Sequence, residues 1–82
     1  MKTVMLNAGF GNSVATRRIV CILAPDAAPI KRMIADLRPS GKVIDATHGR
    51  RTRSVIVTDS DYIILSSLQP ETLSGRMENT DE

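Results

Sequence analysis

The residues best suited to chemistry form a short cationic run, Gly49-Arg50-Arg51-Thr52-Arg53. Guanidinium groups this close repel one another and do not suit the core of a monomer. Each is a planar fork of hydrogen-bond donors that matches phosphate oxygens, and glycine lets the chain turn tightly beside them. We therefore predict that Arg50, Arg51 and Arg53 hold phosphate groups, with Gly49 as a structural residue of the loop.

The direction in which these arginines point depends on the local backbone. On a strand, Arg51 and Arg53 would face one way and Arg50 the other, whereas in a loop all three can face the same way. The run can also be a solvated surface or a set of salt bridges between subunits. Asp45, the nearest preceding carboxylate, can fold back onto one of the arginines.

Charge is unevenly distributed along the chain. Residues 1–70 carry ten Lys and Arg against five Asp, whereas residues 71–82 carry one Arg against four acidic residues. A basic body with an acidic tail favours an anionic partner for the body. Lys31 and Arg32 are possible secondary basic contacts if they share a surface with the loop arginines.

No residue set indicates catalysis or a cofactor. His48 is the only imidazole and has no neighbouring nucleophile or carboxylate at a spacing typical of a catalytic base. A lone His and the lone Cys21 do not make a structural zinc site, and Cys21 is interpreted as a buried apolar residue. We predict no enzyme activity, no metal and no small-molecule substrate.

The aromatic content bears on the type of nucleic acid that the arginines would hold. Phe10 and Tyr62 are the only aromatic residues, and both are predicted to pack in the core or in a turn. Binding of single strands usually relies on exposed rings that stack on bases. We therefore favour duplex DNA, held mainly through its backbone.

The chain has 82 residues, of which 41% are hydrophobic. A domain of this size has a marginal core and commonly needs support from disulfides, metal or self-association. With one cysteine, self-association is the expected support. No apolar run approaches a membrane span and no signal peptide is evident, so we expect a cytoplasmic protein, associated with the nucleoid and not with membrane.

The pattern of apolar and turn residues predicts an α+β fold. The expected strands cover residues 4–7, 17–24, 43–46, 53–58 and 62–65, in one small antiparallel sheet. The strand at 17–24 is apolar on both faces and should be covered on both, and another subunit can supply the second cover. One main helix, capped by Asp26 and with Pro29 in its first turn, should run to about Arg38, and a short C-terminal helix should follow Pro70. The apolar stripe of the main helix comprises Ile30, Met33, Ile34 and Leu37.

Several collinear stretches between residues 4 and 73 carry a resemblance to a known family. They are Gly9-Phe10-Gly11-Asn12, Ala28-Pro29-Ile30-Lys31-Arg32, Ile44-Asp45-Ala46-Thr47, Gly49-Arg50-Arg51-Thr52-Arg53, Thr58-Asp59-Ser60-Asp61 and Gln69-Pro70-Glu71-Thr72. Together they resemble the RemA family of bacterial regulators of the extracellular matrix and of biofilm formation. His48, Ala27 and Ser67 depart from the residues expected at their positions.

The resemblance implies a DNA-binding transcriptional regulator that assembles into a ring-shaped homo-oligomer, an octamer by expectation. It implies that DNA follows the basic outer surface of the ring, with Arg50 and Arg51 as leading contacts, Arg53 beside them and Arg18 as a further contact. Pro29 carries over as a structural position.

Two further expectations complete the sequence-based interpretation. Residues 1–73 should form a single domain, and residues 74–82 a frayed acidic tail. The alternative function is an oligomeric scaffold that does not bind DNA, in which the arginines bridge subunits or grip an acidic protein partner.

Overall fold

The computed structural model describes residues 4–79, which form six strands and two α-helices in chain order. A 3₁₀ turn at Thr16–Arg18 precedes the third strand, and another at Arg38–Ser40 follows the first α-helix. The strands are β1 Met5–Gly9, β2 Asn12–Ala15, β3 Ile19–Leu23, β4 Val43–Asp45, β5 Ser54–Thr58 and β6 Ile63–Ser66; the helices are α1 Ala28–Leu37 and α2 Pro70–Asn79.

The main sheet has four strands in the order β3-β5-β6-β4, and β1 pairs with β2 in a separate hairpin. The α+β class is confirmed, but the prediction of one antiparallel sheet is wrong because β4 runs parallel to β6. The chain reverses direction twice between these strands, at the loop before β5 and at the turn after it. After two reversals β6 runs in the same direction as β4. In the sheet, β6 lies between β5 and β4, so it pairs antiparallel with β5 and parallel with β4.

The side of the sheet that packs on α1 confirms the predicted apolar stripe. Val55, Ile63 and Leu65 are almost fully buried there. The helix residues packed against them are Ile30, Met33, Ile34 and Leu37. Because these positions recur at helical spacing, they present one continuous apolar face to the sheet.

The other side of the sheet is covered by the β1–β2 hairpin and by α2. The buried cluster on this side comprises Leu6, Ala8, Ala46, Ile56, Ile64 and Leu73. The second cover of the sheet is thus supplied by the chain itself. The coverage predicted for β3 is incomplete, because a bulge between Ile19 and Cys21 leaves Val20 64% exposed and Cys21 only partly buried.

The start of α1 differs from the prediction, because Asp26 does not cap it. Ala27 occupies the N-cap position and no side chain caps the helix. A capping side chain normally binds the N–H of the second or third helical residue, and the second residue here is Pro29, which has no N–H. The predicted end is confirmed, since Gly41 adopts a left-handed conformation with φ +74° after the 3₁₀ turn.

The C-terminal helix is longer than predicted. The expected frayed tail from residue 74 begins inside α2, which continues to Asn79. Leu73 is fully buried, Met77 packs against the core, and the Arg76 guanidinium donates to the carbonyl of Asn7 at 3.0 Å. These contacts hold the last described turns of the helix on the hairpin, and residues 80–82 of the predicted tail lie outside the described residues.

Candidate nucleic-acid interface

The loop between β4 and β5 is anchored at its start by Asp45 and Thr47. One Asp45 carboxylate oxygen accepts hydrogen bonds from the Thr47 hydroxyl at 2.6 Å and from the Thr47 N–H at 2.9 Å. These bonds stabilise the charged carboxylate and lower the pKa of Asp45, with a smaller contribution from Arg38. Asp45 therefore binds Thr47 and does not fold back onto a loop arginine.

A tight turn places the first arginine. The Arg50 N–H donates to the carbonyl of Thr47 at 3.0 Å, and the two residues between them, His48 and Gly49, have φ values of +56° and +81°. Positive φ at both central positions is the pattern of a type I′ turn, in which glycine is favoured. Gly49 thus occupies a backbone conformation that most residues adopt only with strain.

The three arginines are exposed but do not form one flat cluster. The Arg50 guanidinium carbon lies 5.7 Å from the centroid of the Phe10 ring, toward the hairpin. Arg51 and Arg53 line an open cavity of about 700 Å³ at the start of α2. Residues 51–53 are not in a strand, and Thr52 lines the same cavity as Arg51 and Arg53, so the alternation expected for a strand is not followed.

The backbone fixes these side chains at one end of the sheet. The Arg53 N–H donates to the carbonyl of Ser66 at 2.8 Å, at the carboxyl end of β6. Among residues 4–79, Arg50, Arg51 and Arg53 form no ion pair with a carboxylate. We call this region, defined by Arg50, Arg51 and Arg53, the arginine end.

Arg18 lies at the opposite end of the sheet. It belongs to the 3₁₀ turn before β3, so the prediction that Arg17 and Arg18 begin the strand is wrong. The following residue, Ile19, pairs with Thr58 at the far end of β5. That position is about 13 Å along the strand from the arginine end.

Arg18 is also paired with an acid. Its guanidinium lies 3.4 Å from the Asp59 carboxylate, and the two side chains are 65% and 46% exposed. The Asp59 N–H donates to the Arg18 carbonyl at 2.9 Å, so the backbone keeps the pair together. We call this region, defined by Arg18 and Asp59, the ion-pair end.

Lys31 and Arg32 are exposed on α1, on the side of the sheet away from the hairpin. Arg32 lines a shallow depression together with Pro29, Met33, Asp36 and Leu37. Pro29 lies in the first turn of the helix, as predicted. The two basic residues and the arginine end therefore lie on different elements.

The aromatic residues are where sequence reasoning missed part of the site. Phe10 lies in the predicted turn but is 49% exposed, and its ring stacks on His48 with centroids 5.0 Å apart and planes 18° apart. Tyr62 is 40% exposed, with the Lys42 ammonium 5.1 Å from its ring centroid. The signal for Phe10 was its position between two glycines, which favours a tight turn, and turns lie at the surface.

Two negative findings apply to residues 4–79. No group of three or more His, Cys, Asp or Glu side chains in this part of the chain is arranged to hold a metal ion. No helix among the same residues is long and apolar enough to cross a membrane.

Comparisons with known proteins identify the family. The family described as extracellular matrix regulatory protein A-like, or RemA-like, matches residues 5–77. A relative from Geobacillus thermodenitrificans, named "Putative regulatory protein", is 56% identical over all 82 residues and 94% of its own length. Another from Synechococcus is 58% identical over 76 residues, covering 93% of this chain and 85% of the relative. The chain belongs to the RemA-like family of regulatory proteins.

Proposed function

We propose that this protein regulates transcription by binding duplex DNA, with the phosphates held by Arg50, Arg51 and Arg53 of several identical subunits. The observation that carries the proposal is the exposure of three guanidinium groups that form no ion pair among the described residues. The family description refers to regulation of the extracellular matrix. We propose that the regulation acts through direct contact with DNA and that the protein is not an enzyme.

The charge arrangement supports a polyanionic partner. Asp45, the nearest preceding carboxylate, accepts hydrogen bonds from Thr47, which leaves the loop arginines to an external anion. Guanidinium groups bind phosphate through two parallel hydrogen bonds. Arg51 and Arg53 line the same open cavity, so both are available to one DNA backbone.

Repetition of the site is needed for useful affinity. A subunit that neutralises about three phosphates has a salt slope near −2.7, which corresponds to weak binding that salt readily screens. Four subunits along one duplex reach about twelve phosphates and a slope near −11. An oligomer therefore raises avidity without a new type of contact.

An apolar groove beside β4 is the surface we assign to contacts between subunits. The groove has a volume of about 440 Å³, and its apolar lining includes Val14, Ile44, Tyr62 and Ile64. Ile44 is 46% exposed on an edge strand, which is open to pairing or packing with another chain. Successive copies joined in this way can close into a ring, for which we keep the expectation of an octamer.

A ring would also affect the DNA. A curved row of arginines bends the duplex, and sequence preference then arises from the energy of deforming flexible or A-tract steps. We propose modest sequence specificity, with few contacts to base edges.

One observation favours a second function, that of an oligomeric scaffold. Asp26 and Glu71 line the same cavity as Arg51 and Arg53. Because this cavity carries charges of both signs, it suits a neighbouring copy or another protein that presents both acidic and basic groups. In that case the arginines would stabilise an assembly instead of binding DNA.

Titration of a duplex of about 60 base pairs at two salt concentrations, with the mass of the assembly measured in parallel, tests the proposal. We expect a steep salt slope that Arg50→Ala with Arg51→Ala reduces to roughly a third while the oligomer keeps its mass. Loss of the oligomer in this variant would support the scaffold, and equal competition by structured RNA would exclude selectivity for DNA.

A further inference from the structure

An aromatic ring stands exposed at the tip of the β1–β2 hairpin. Phe10 has φ +54° and lies between Gly9 and Gly11, with φ values of +101° and +78°. The left-handed conformation is uncommon for a bulky residue and persists only where the surrounding structure imposes it. Because the ring is 49% exposed, burial in the core does not explain its position.

Hydrogen bonds at the base of the hairpin hold this tip in place. The Asn7 side chain accepts from the Gly9 N–H at 2.7 Å, and the Asn12 side chain donates to the Gly9 carbonyl at 3.0 Å. The carbonyl of Asn7 in turn accepts from Arg76 on α2. The tip is therefore tied to the rest of the domain, and its ring has a defined place.

The ring meets the turn that carries Arg50. The His48 ring stacks on Phe10, and the Arg50 guanidinium carbon lies 5.7 Å from the Phe10 centroid, within the range of a cation–π interaction. His48 and Arg50 belong to the same turn, whose first residue, Thr47, is held by Asp45. Two turns with positive φ at both central residues are thus joined through aromatic contact.

We propose that Phe10 is a positioning residue for Arg50, holding its guanidinium in place before a phosphate arrives; this inference rests on the proposed DNA binding. An unrestrained arginine loses much rotamer freedom on forming a salt bridge, and a ring beneath the guanidinium reduces that loss. Arg51 and Arg53 have no such ring contact among the described residues. Arg50 is therefore the most ordered of the three in the free protein.

The effect on DNA affinity is small per subunit and large for the assembly. A cation–π contact at an exposed site corresponds to about a 2- to 5-fold change in affinity. When about four subunits engage one duplex, the contributions multiply to tens-fold or more. The number of phosphates contacted does not change, so the salt slope should stay the same.

Phe10→Leu removes the ring but keeps an apolar side chain, and Phe10→Tyr keeps the ring as a matched control. Both are made alone and together with Arg50→Ala in the full chain, and duplex binding is measured at two salt concentrations. We expect Phe10→Leu to weaken binding tens-fold with an unchanged slope and Phe10→Tyr to bind like the wild type. Neither change should have a further effect when Arg50 is absent.

A second measurement does not depend on DNA. In the free protein, the NMR signals of the Arg50 side chain should carry a ring-current shift that is lost in Phe10→Leu and kept in Phe10→Tyr. An unchanged Arg50 signal in Phe10→Leu would overturn the inference. A loss of affinity that persists in the Arg50→Ala background would also overturn it, because the ring would then contact DNA itself.

Failure of the proposed function gives a different result. If the wild-type protein does not bind duplex DNA, the proposed function is refuted. The NMR measurement then still decides whether Phe10 orders Arg50.

Discussion

The two ends of the main sheet carry arginines in opposite electrostatic situations. At the arginine end, Arg50, Arg51 and Arg53 are exposed without an ion pair among the described residues. At the ion-pair end, Arg18 lies 3.4 Å from the Asp59 carboxylate. The comparison shows that the two ends differ in ion pairing: Asp26 and Glu71 line the same cavity as Arg51 and Arg53 without pairing with them, whereas Asp59 pairs with Arg18.

The backbone explains the difference between the two ends. The turn after β5 brings Asp59 next to Arg18, and a hydrogen bond between their main chains keeps it there. The loop before β5 also contains an acid, Asp45, but that acid accepts two bonds from Thr47. Local hydrogen bonding thus keeps Asp59 beside Arg18 and holds Asp45 on Thr47.

The largest effect should come from removing the repetition of the arginine end. We expect Ile44→Asp to place a charge in the apolar groove and to break the oligomer, which removes about nine of the roughly twelve phosphate contacts on one duplex. Light scattering should show a smaller particle, and DNA affinity should fall by more than 100-fold. Ile44→Val, which keeps the groove apolar, is the control, and a wild-type mass for Ile44→Asp would rule out this contact.

The second largest effect should be the difference in DNA affinity between matched charge changes at the two ends. Arg50→Ala with Arg51→Ala removes about eight phosphate contacts per four subunits and should lower DNA affinity by at least about 100-fold. Arg17→Ala with Arg18→Ala makes the same change in net charge beside the ion-pair end. Arg18 also lines the apolar groove, so the mass of the assembly is measured in parallel. At unchanged mass, affinity should fall by only a few-fold because Arg18 has a carboxylate partner. Equal losses in an anisotropy titration would erase the distinction between the ends.

Substitution of a glycine by alanine should have opposite effects on stability in the turn at the arginine end and in the helix beside it. Gly49→Ala places a side chain at φ +81° and should lower the free energy of unfolding by about 1 kcal/mol. Gly75→Ala, in α2 with open space around it, should raise that free energy by about 0.5–1 kcal/mol. Chemical denaturation measures both, and a neutral Gly49→Ala would mean that the turn readily changes conformation.

The smallest effect concerns pH and the anchor of the loop. The pKa of Asp45 is lower in the folded state than its usual value near 4, so its stabilising contribution is complete above that value and is lost as pH falls through the lowered pKa. The free energy of unfolding should therefore fall less on acidification in Asp45→Asn than in the wild type. Thr47→Val, which removes the hydroxyl donor, should also flatten this pH dependence, and identical profiles for all three proteins would contradict the assignment.

Much of the fold followed from local patterns. The stripe of Ile30, Met33, Ile34 and Leu37 predicted α1 because apolar residues at helical spacing share one face. Gly41 predicted its end because glycine accepts a left-handed conformation. The parallel pairing of β4 with β6 was missed. It arises because β4 lies beside β6 and not beside β5, the next strand along the chain, and local patterns do not show which strands are neighbours in the sheet.

The sequence by itself determined that the chain carries three crowded arginines in a short segment and that its core is small. Only the tertiary structure decided that those arginines form no ion pair among the described residues, that Arg18 pairs with Asp59, and that Phe10 lies beneath Arg50. The physical reason is distance along the chain. Composition and spacing define what a residue offers, whereas ion pairs and ring contacts form between residues about forty positions apart, which only the folded chain brings together.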